Sequence, residues 1–332
     1  DQSAGGFTND SGTCQGKTPD TCKGLSGGKS FTDVLPSVNL ALELGNDQIM
    51  RLGVGKTLSR PKMGDMRASM DAPSVNSSLP VKVLRASGGN PELEPFRATA
   101  FDLSYEKYFG SKGYVSVAGF YKDLNTYILT LGREFDFKNY LTPNTVLPPN
   151  GSTVGILTQP INGSGGTIRG IEMAVNIPLS LLAKPLDGFG VSVNHSDTKS
   201  SIKLPTSAFP NASAQIPDIP LPGLSRKVTN LRFYYEKHGI QFAVAQRKRS
   251  DFLGEVTDYK DDKEITFIKG ESVVDLQLGY EFQRGWFKGL SVLFQANNIG
   301  DAKFQQYTTD PSKITDTKVY GRTYMFGLNY KL

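Results

Sequence analysis

Short and long connections alternate along this chain, and that alternation limits its fold more than any other feature of the sequence. Eleven segments with apolar residues at every second position are joined in turn by a tight turn or by a long loop rich in Gly, Pro and Ser. Apolar residues at every second position predict a strand with one apolar and one polar face. Strict alternation places all tight turns at one end of the strands and all long loops at the other.

The segments are predicted to be antiparallel strands, because a tight turn joins neighbours that run in opposite directions. In the last segment Tyr324, Phe326 and Leu328 share one face, while Thr323 and Met325 lie on the other. The predicted strands are Phe31–Leu44, Gln48–Leu58, Leu93–Phe109, Tyr114–Thr130, Thr167–Leu179, Phe189–Ser201, Arg226–Lys237, Ile240–Leu253, Ser272–Phe282, Leu290–Asn298 and Tyr320–Leu332.

These features predict an all-β fold, a transmembrane antiparallel β-barrel with a lipid-facing apolar band and a polar interior. A barrel strand needs only about 9–11 residues, and no apolar run in the chain reaches the roughly 20 residues of a spanning helix. A soluble sandwich, the alternative, would have shorter strands and would not sort its connections by length.

The strand number predicts that the chain forms only part of a barrel. Bacterial single-chain barrels have even strand numbers, and an open sheet would expose two unpaired edges to lipid. We therefore expect residues 31–332 to be the C-terminal half of a barrel of about 22 strands. The remaining strands would lie in another segment.

Residues 1–30 are predicted to be an extracellular loop that contains both cysteines of the chain, Cys14 and Cys22. A zinc site needs four ligands, and the only histidines, His195 and His238, are distant in sequence. A local disulfide between the cysteines is the favoured interpretation over free thiols, and it implies folding in an oxidising compartment.

The sequence gives no support for an enzyme or for a metal-dependent protein. Gly24–Gly28 has the G-x-S-x-G spacing of a nucleophile elbow, but it lies in a Gly-rich stretch predicted to be a loop, with no helical pattern after it. The acidic residues Asp258, Asp261, Asp262 and Glu264 are interrupted by lysines and lack the spacing of a calcium loop. The 37 basic and 32 acidic residues are dispersed, which argues against nucleic acid as a partner. We predict no catalytic residue, cofactor or metal.

Aromatic residues in two long loops are the candidate ligand contacts. Arg133, Phe135 and Tyr140 lie in one loop, and Phe304 and Tyr307 lie in another. Aromatic rings can stack on sugar faces, and an arginine can bind a carboxylate or hydroxyl group. The alternative is that the aromatic side chains anchor the rim of the barrel in the membrane interface.

Five short motifs, in this order, resemble those of TonB-dependent outer-membrane receptors over residues 31–332. They are Arg51–Pro61 (RLGVGKTLSRP), Gly89–Pro95 (GNPELEP), Ile168–Glu172 (IRGIE), Asn297–Asp301 (NNIGD) and the closing strand that begins Tyr320–Arg322. The chain departs from the family at its last residue, Leu332, where an aromatic residue is usual. Residues 59–66 (SRPKMGDM) and 319–332 (VYGRTYMFGLNYKL) are most similar to a branch abundant in Caulobacter- and Xanthomonas-like bacteria.

The resemblance implies a receptor of the bacterial outer membrane that takes up a nutrient too large for porins. Its implied partners are outer-membrane lipid including lipopolysaccharide, a plug and first strands in another segment, and the TonB complex reached through that segment. The branch often imports oligosaccharides, so an oligosaccharide is the preferred solute and a ferric siderophore the alternative. A passive pore or structural surface barrel is the alternative from a different class.

The disulfide prediction is tested by alkylating the folded protein with and without a reductant. We expect Cys14 and Cys22 to resist alkylation until the disulfide is reduced, because an oxidised pair has no free thiol. Labelling of both cysteines before reduction would contradict the prediction.

Overall fold

The computed structural model describes residues 2–6, 25–75, 82–110, 112–141, 144–203, 218–259, 262–308 and 310–331. Its strands are β1 Gln2–Gly6, β2 Leu25–Lys29, β3 Ser37–Gly45, β4 Gln48–Ser59, β5 Ser74–Val75, β6 Leu84–Ser87, β7 Phe96–Phe109, β8 Gly113–Asp136, β9 Val154–Gly163, β10 Gly166–Pro178, β11 Phe189–Ile202, β12 Lys227–Lys237, β13 Ile240–Arg249, β14 Phe252–Tyr259, β15 Asp262–Ile268, β16 Ser272–Glu281, β17 Leu290–Asn297, β18 Phe304–Tyr307, β19 Ile314–Lys318 and β20 Thr323–Tyr330. Short 3-10 helices lie at Lys138–Tyr140, Leu179–Leu181 and Lys184–Leu186. Among these residues, no helix has the length and apolar character needed to cross a membrane.

One large sheet dominates the fold and confirms the predicted all-β architecture. Eleven strands follow one another in the order β3-β4-β7-β8-β10-β11-β12-β13-β16-β17-β20, and each pair is antiparallel. We call this the main sheet. Each of its strands corresponds to one of the eleven predicted segments. Within the described ranges, the edge strands β3 and β20 each have a single neighbour, so the sheet is not closed on itself.

The two faces of the main sheet differ as the alternation predicts. Residues opposite one another in the register share a face, which groups Val193 of β11 with Leu231 of β12 and Gln246 of β13. Large apolar side chains on this outer face are exposed, including Leu40 at 53%, Ile171 at 61% and Phe326 at 72%. The inner face carries the intervening residues. Apolar side chains left uncovered in this way are expected where lipid, not water, is the neighbouring phase.

The tight turns have the backbone conformation that their sequences predict. Asn46 and Asp47 between β3 and β4 have φ of 50° and 58°, and His238 and Gly239 between β12 and β13 have φ of 55° and 81°. Positive φ at both central residues is the requirement of a type I′ turn, whose twist matches that of the flanking strands. The short connections therefore fix the register of these two hairpins.

The long connections contain strands where the sequence predicted only loops. These strands are β5 and β6 within residues 59–91, β9 within 131–166, β15 within 254–268, and β18 and β19 within 300–319. The extended end of β8 pairs with β9, with Thr130 opposite Pro160. Proline and glycine in these stretches predict turns, but pairing with a neighbouring strand outweighs such local preferences.

Three predicted strand limits differ from the structure by four residues or more. The first strand begins at Ser37 and not at Phe31, and Pro36 precedes it with its carbonyl accepting the N–H of Lys56. Strand β8 continues past Thr130 to Asp136 because β9 pairs with its extension. The predicted strand 240–253 is divided at Ser250 and Asp251, so that β14 leaves the main sheet and pairs with β15.

The buried apolar core lies in the long loops and not between the faces of the main sheet. The first loop core joins β8 to neighbouring loops and contains Tyr127, Leu129, Leu131, Ile202, Ile219 and Leu253. The second loop core contains Leu84, Ala86, Phe137 and Leu157. The loops therefore form a packed cap beyond the apolar band, which can hold loop residues in fixed positions.

The lipid-facing assignment of the outer face is tested by a charge placed on either side of β12. We expect Leu231→Lys to lower the free energy of unfolding in bilayers by about 2–4 kcal/mol, because Leu231 lies near the middle of the strand on the outer face. The matched control is Asn230→Lys, the adjacent residue on the inner face, which we expect to have a much smaller effect. Denaturant titration in lipid vesicles measures both, and equal losses would contradict the assignment.

Burial of Tyr127 predicts an alkaline weakening of the cap. Its hydroxyl donates a hydrogen bond to the carbonyl of Lys203, and burial, followed by the charge of Asp218, raises its pKa from 10 to about 12. Because the folded state keeps the proton more tightly, the stabilisation is complete below pH 10 and is lost as pH rises toward about 12.

Thermal unfolding followed across this pH range checks the prediction. We expect Tyr127→Phe to be less stable at neutral pH by about 1–3 kcal/mol, since the Lys203 carbonyl loses its donor. The variant should also lose part of the alkaline dependence. Tyr320→Phe, at an exposed residue, is the control. An unchanged pH dependence in Tyr127→Phe would contradict the prediction.

Candidate functional site

The segment GNPELEP connects the cap to the main sheet through two asparagine side chains. The Nδ2 of Asn90 donates to the carbonyl of Pro160 at 3.0 Å. The amide of Asn162 makes two bonds to the backbone of Glu94, accepting its N–H at 2.9 Å and donating to its carbonyl at 2.9 Å. Gly89 is required here because a Cβ atom would lie 2.4 Å from the carbonyl oxygen of Arg67. The segment is therefore fixed to β9 immediately before β7 begins.

A group of charged residues holds the chain before β3 against the start of β7. The guanidinium of Arg97 donates from Nε to Asp33 Oδ1 at 2.6 Å and from Nη1 to Glu94 Oε2 at 2.7 Å, and it lies 5.4 Å from the ring centre of Phe31. Lys29 forms an ion pair with the other oxygen of Glu94. Hydrogen bonds from Lys29 and then Arg97 lower the pKa of Glu94 below its usual value.

The structure brings together the three candidate ligand residues of the first loop. Arg133 lies on the extension of β8, with its guanidinium 5.2 Å from the ring centre of Phe135, and the rings of Phe135 and Tyr140 are 5.6 Å apart. With the amide of Gln159 turned so that its oxygen faces Arg133, that oxygen accepts from Nε at 2.8 Å and from Nη2 at 3.1 Å. Phe137, which is fully buried, supports Phe135 edge-on at 5.0 Å.

The remaining two candidates belong to the smaller sheet β14-β15-β18-β19. Tyr307 is only 6% exposed, and its ring stacks on Phe267 at 5.4 Å. Its hydroxyl donates to Asp251 Oδ2 at 2.7 Å, and burial followed by this hydrogen bond raises its pKa to about 12. Phe304 is half-buried, with the ammonium of Lys318 5.6 Å from its ring centre. The side chain of Tyr307 is thus packed against Phe267 and Asp251, whereas the ring of Phe304 is more accessible to solvent.

Two arginines that the sequence analysis missed have buried nitrogen atoms without a hydrogen-bond partner among the described residues. They are Nε and Nη2 of Arg85 on β6 and Nε of Arg249 at the end of β13. Arg249 also donates from Nη2 to Glu271 at 2.9 Å and lies 4.8 Å from the ring centre of Phe252. The run Arg247-Lys248-Arg249 at the loop end of a strand was the available sequence signal for Arg249.

Two predicted groups fall outside the described part of the chain. Cys14 and Cys22 lie there, so the disulfide stays a prediction. The side chains of the acidic cluster at 258–264 are likewise not described. In the ranges that are described, no three His, Cys, Asp or Glu side chains are grouped in a way that could hold a metal ion.

Comparison with known proteins identifies the family. A family model described as the β-barrel of TonB-dependent receptor-like proteins matches residues 5–299. A search among curated proteins gives no match.

Solved structures match across most of the chain. A variant of the ferric enterobactin receptor (PfeA) from Pseudomonas aeruginosa, in complex with enterobactin, has 16% identity and a TM-score of 0.60, covering 89% of this chain and 40% of that receptor. The siderophore receptor PirA from Acinetobacter baumannii has 14% identity and a TM-score of 0.57 over the same shares. The FrpB iron transporter from Neisseria meningitidis has 12% identity and a TM-score of 0.56, covering 93% of this chain and 40% of the transporter.

These likenesses agree with the fold described above. The chain spans about 40% of the length of the solved structures it matches. The family resemblance predicted from the motifs is confirmed, whereas the narrower Caulobacter- and Xanthomonas-like branch stays a prediction. The match over residues 5–299, on an antiparallel sheet with an exposed apolar outer face, shows that this chain belongs to the TonB-dependent receptors, which are β-barrel transporters of the bacterial outer membrane and not enzymes.

Proposed function

We propose that the receptor to which this chain belongs imports a ferric siderophore across the outer membrane. The described strands would form part of its barrel, and the cap of packed loops would capture the solute outside the cell. A plug domain and the first strands, carried by another segment, would close the channel and couple uptake to the TonB complex. A solute too large for porins requires this kind of energised route.

The names of the structural neighbours support a siderophore over the oligosaccharide favoured by the branch resemblance. The neighbours are called a ferric enterobactin receptor, a siderophore receptor and an iron transporter. Their identity to this chain is 12–16%, so their likeness is one of fold and the substrate is our proposal.

The geometry of Arg133 is the observation in this chain that carries the proposal. The side-chain oxygen of Gln159 accepts hydrogen bonds from Nε and Nη2 of Arg133. Within the described residues, Nη1 of Arg133 has no hydrogen-bond partner. A guanidinium group that is held in place by hydrogen bonds on one edge still has a donor available on another edge. Such a group can bind an anion without a large loss of side-chain entropy. Ferric chelates with anionic oxygen donors present such a charge, whereas neutral oligosaccharides do not.

The aromatic residues beside Arg133 keep an oligosaccharide as a second candidate. Phe135 is half-buried and Tyr140 is next to it, so their exposed edges could pack against a sugar ring. Such a solute would rely on ring contacts more than on the guanidinium. Substitutions at the two kinds of residue therefore separate the two candidates.

Titration of the complete purified receptor with ferric chelates and with maltodextrins tests the proposal. We expect saturable binding of an anionic ferric chelate, and we expect Arg133→Gln to weaken it about 10-fold or more, since a hydrogen bond to a charged group contributes about 1.5–3 kcal/mol. The matched control is Arg284→Gln at the tight-turn rim, which should bind as the unaltered receptor does.

Other outcomes would reject the siderophore. Binding of maltodextrins alone, weakened by Phe135→Ala more than by Arg133→Gln, would establish the oligosaccharide instead. A constitutive conductance in planar bilayers, with no saturable solute, would indicate a passive pore.

A further inference from the structure

Cations collect on the outer face of the main sheet at its loop end. The register places Tyr121 of β8, Arg169 of β10 and Lys199 of β11 in one row, and residues opposite one another share a face. Arg169 and Lys199 are both exposed. They share the face of Ile171, because Ile171 lies two residues from Arg169 on the same strand.

The next two strands continue the same group of cations. Lys227 of β12 is opposite Asp197 of β11, and Lys248 of β13 is opposite Thr229 of β12. Both lysines are exposed and lie on the outer face. We call Arg169, Lys199, Lys227 and Lys248 the outer-rim patch.

The outer-rim patch lies on the loop side of the apolar band. Farther toward the tight turns the outward residues are apolar: Ile171 and Met173 on β10, Val193 on β11 and Leu231 on β12. The step from cation to apolar residue is two residues on β10, four on β12, where Thr229 lies between, and six on β11, where Asp197 and His195 lie between. In outer-membrane barrels the long loops are extracellular, so the patch lies at the headgroup level of the outer leaflet.

Two carboxylates share this face with the four cations of the patch, and Asp197 is opposite Lys227, so the charge of the patch is offset only in part. Arg169 and Lys199 stand directly across from each other, an arrangement that is destabilising unless an anion lies between them. The nearest carboxylates on this face are Asp123 and Asp197. Asp197 accepts from Arg226 at 3.1 Å, and in the described ranges neither carboxylate forms an ion pair with a patch residue. An external anion is therefore the natural counter-charge.

We propose that the outer-rim patch binds the phosphate groups of lipopolysaccharide in the outer leaflet. The opposed guanidinium and ammonium groups of Arg169 and Lys199 would hold one phosphate, because arginine and lysine both bind phosphate oxygens. Lys227 and Lys248, on the adjoining strands, would contact a second phosphate or the acidic sugars next to it. The acyl chains of the same lipid would cover the apolar side chains of Ile171 and Leu231.

The chain offers a matched pair of double variants for the test. Arg169→Gln with Lys199→Gln removes one arginine and one lysine from the outer face. Arg247→Gln with Lys122→Gln removes one of each from the inner face at the same end of the sheet, since Arg247 is opposite Asn230 and Lys122 opposite Ile168. The complete receptor, purified in detergent free of lipopolysaccharide, is titrated with lipid A in mixed micelles, and the melting temperature of each variant is measured with and without lipid A.

We expect the outer-face double variant to bind bisphosphorylated lipid A about 30-fold more weakly, at about 1 kcal/mol per cation. The inner-face variant should bind as the unaltered receptor does. Lipid A should raise the melting temperature of the receptor and of the inner-face variant but not of the outer-face variant. Without lipid A, the outer-face variant should be at least as stable as the receptor, because a like-charge pair has been removed.

Three results would overturn the proposal. The first is equal lipid A binding by the two double variants. The second is equal binding of dephosphorylated lipid A by the receptor, which would mean that acyl chains alone account for the association. The third is full displacement of lipid A by millimolar inorganic phosphate, which would indicate a site for free phosphate and not for the lipid.

Discussion

The hydrogen bonds of the backbone are the constraint from which the rest of this structure follows. In hydrocarbon there is no water to satisfy an N–H or C=O group, so a chain that crosses as strands must pair each strand with neighbours on both sides. The main sheet meets this requirement along its interior, where each strand is antiparallel to the next. Pairing of this kind fixes the side chains to alternate faces, which is why Leu231 lies on the exposed apolar outer face and Asn230 on the opposite face.

The main sheet could be predicted from the sequence because its determinants are local. Each strand shows the alternation of apolar and polar residues in its own sequence. The turn residues Asn46-Asp47 and His238-Gly239 adopt the positive φ that their turns require. The cap could not be predicted in the same way. Strand β9 contains Pro160 and pairs with a part of β8 that is about thirty residues earlier, and Asn162 holds the backbone of Glu94 across 68 residues. Contacts between distant residues have no short-range pattern in the sequence.

The candidate site was predictable in part for the same reason. An aromatic residue in a long loop can contact a ligand or can support the loop itself, and its neighbours decide which. Phe135 and Tyr140 meet Arg133 as expected, but Tyr307 is turned toward Phe267 and Asp251. The cap thus positions one cluster at the surface while it uses other rings as its own core, which is consistent with a rigid scaffold that presents a few ligand contacts.

An accessibility scan of β12 tests most directly whether one face of the main sheet contacts lipid. Nitroxide labels placed singly at each residue of Lys227–Lys237 in the complete receptor, reconstituted in bilayers, are measured against oxygen and against a water-soluble nickel complex. We expect oxygen accessibility to peak at every second residue, with Leu231 and Phe233 high and Asn230 and Arg232 low. A profile without this period, or one with Leu231 shielded from oxygen, would contradict this expectation.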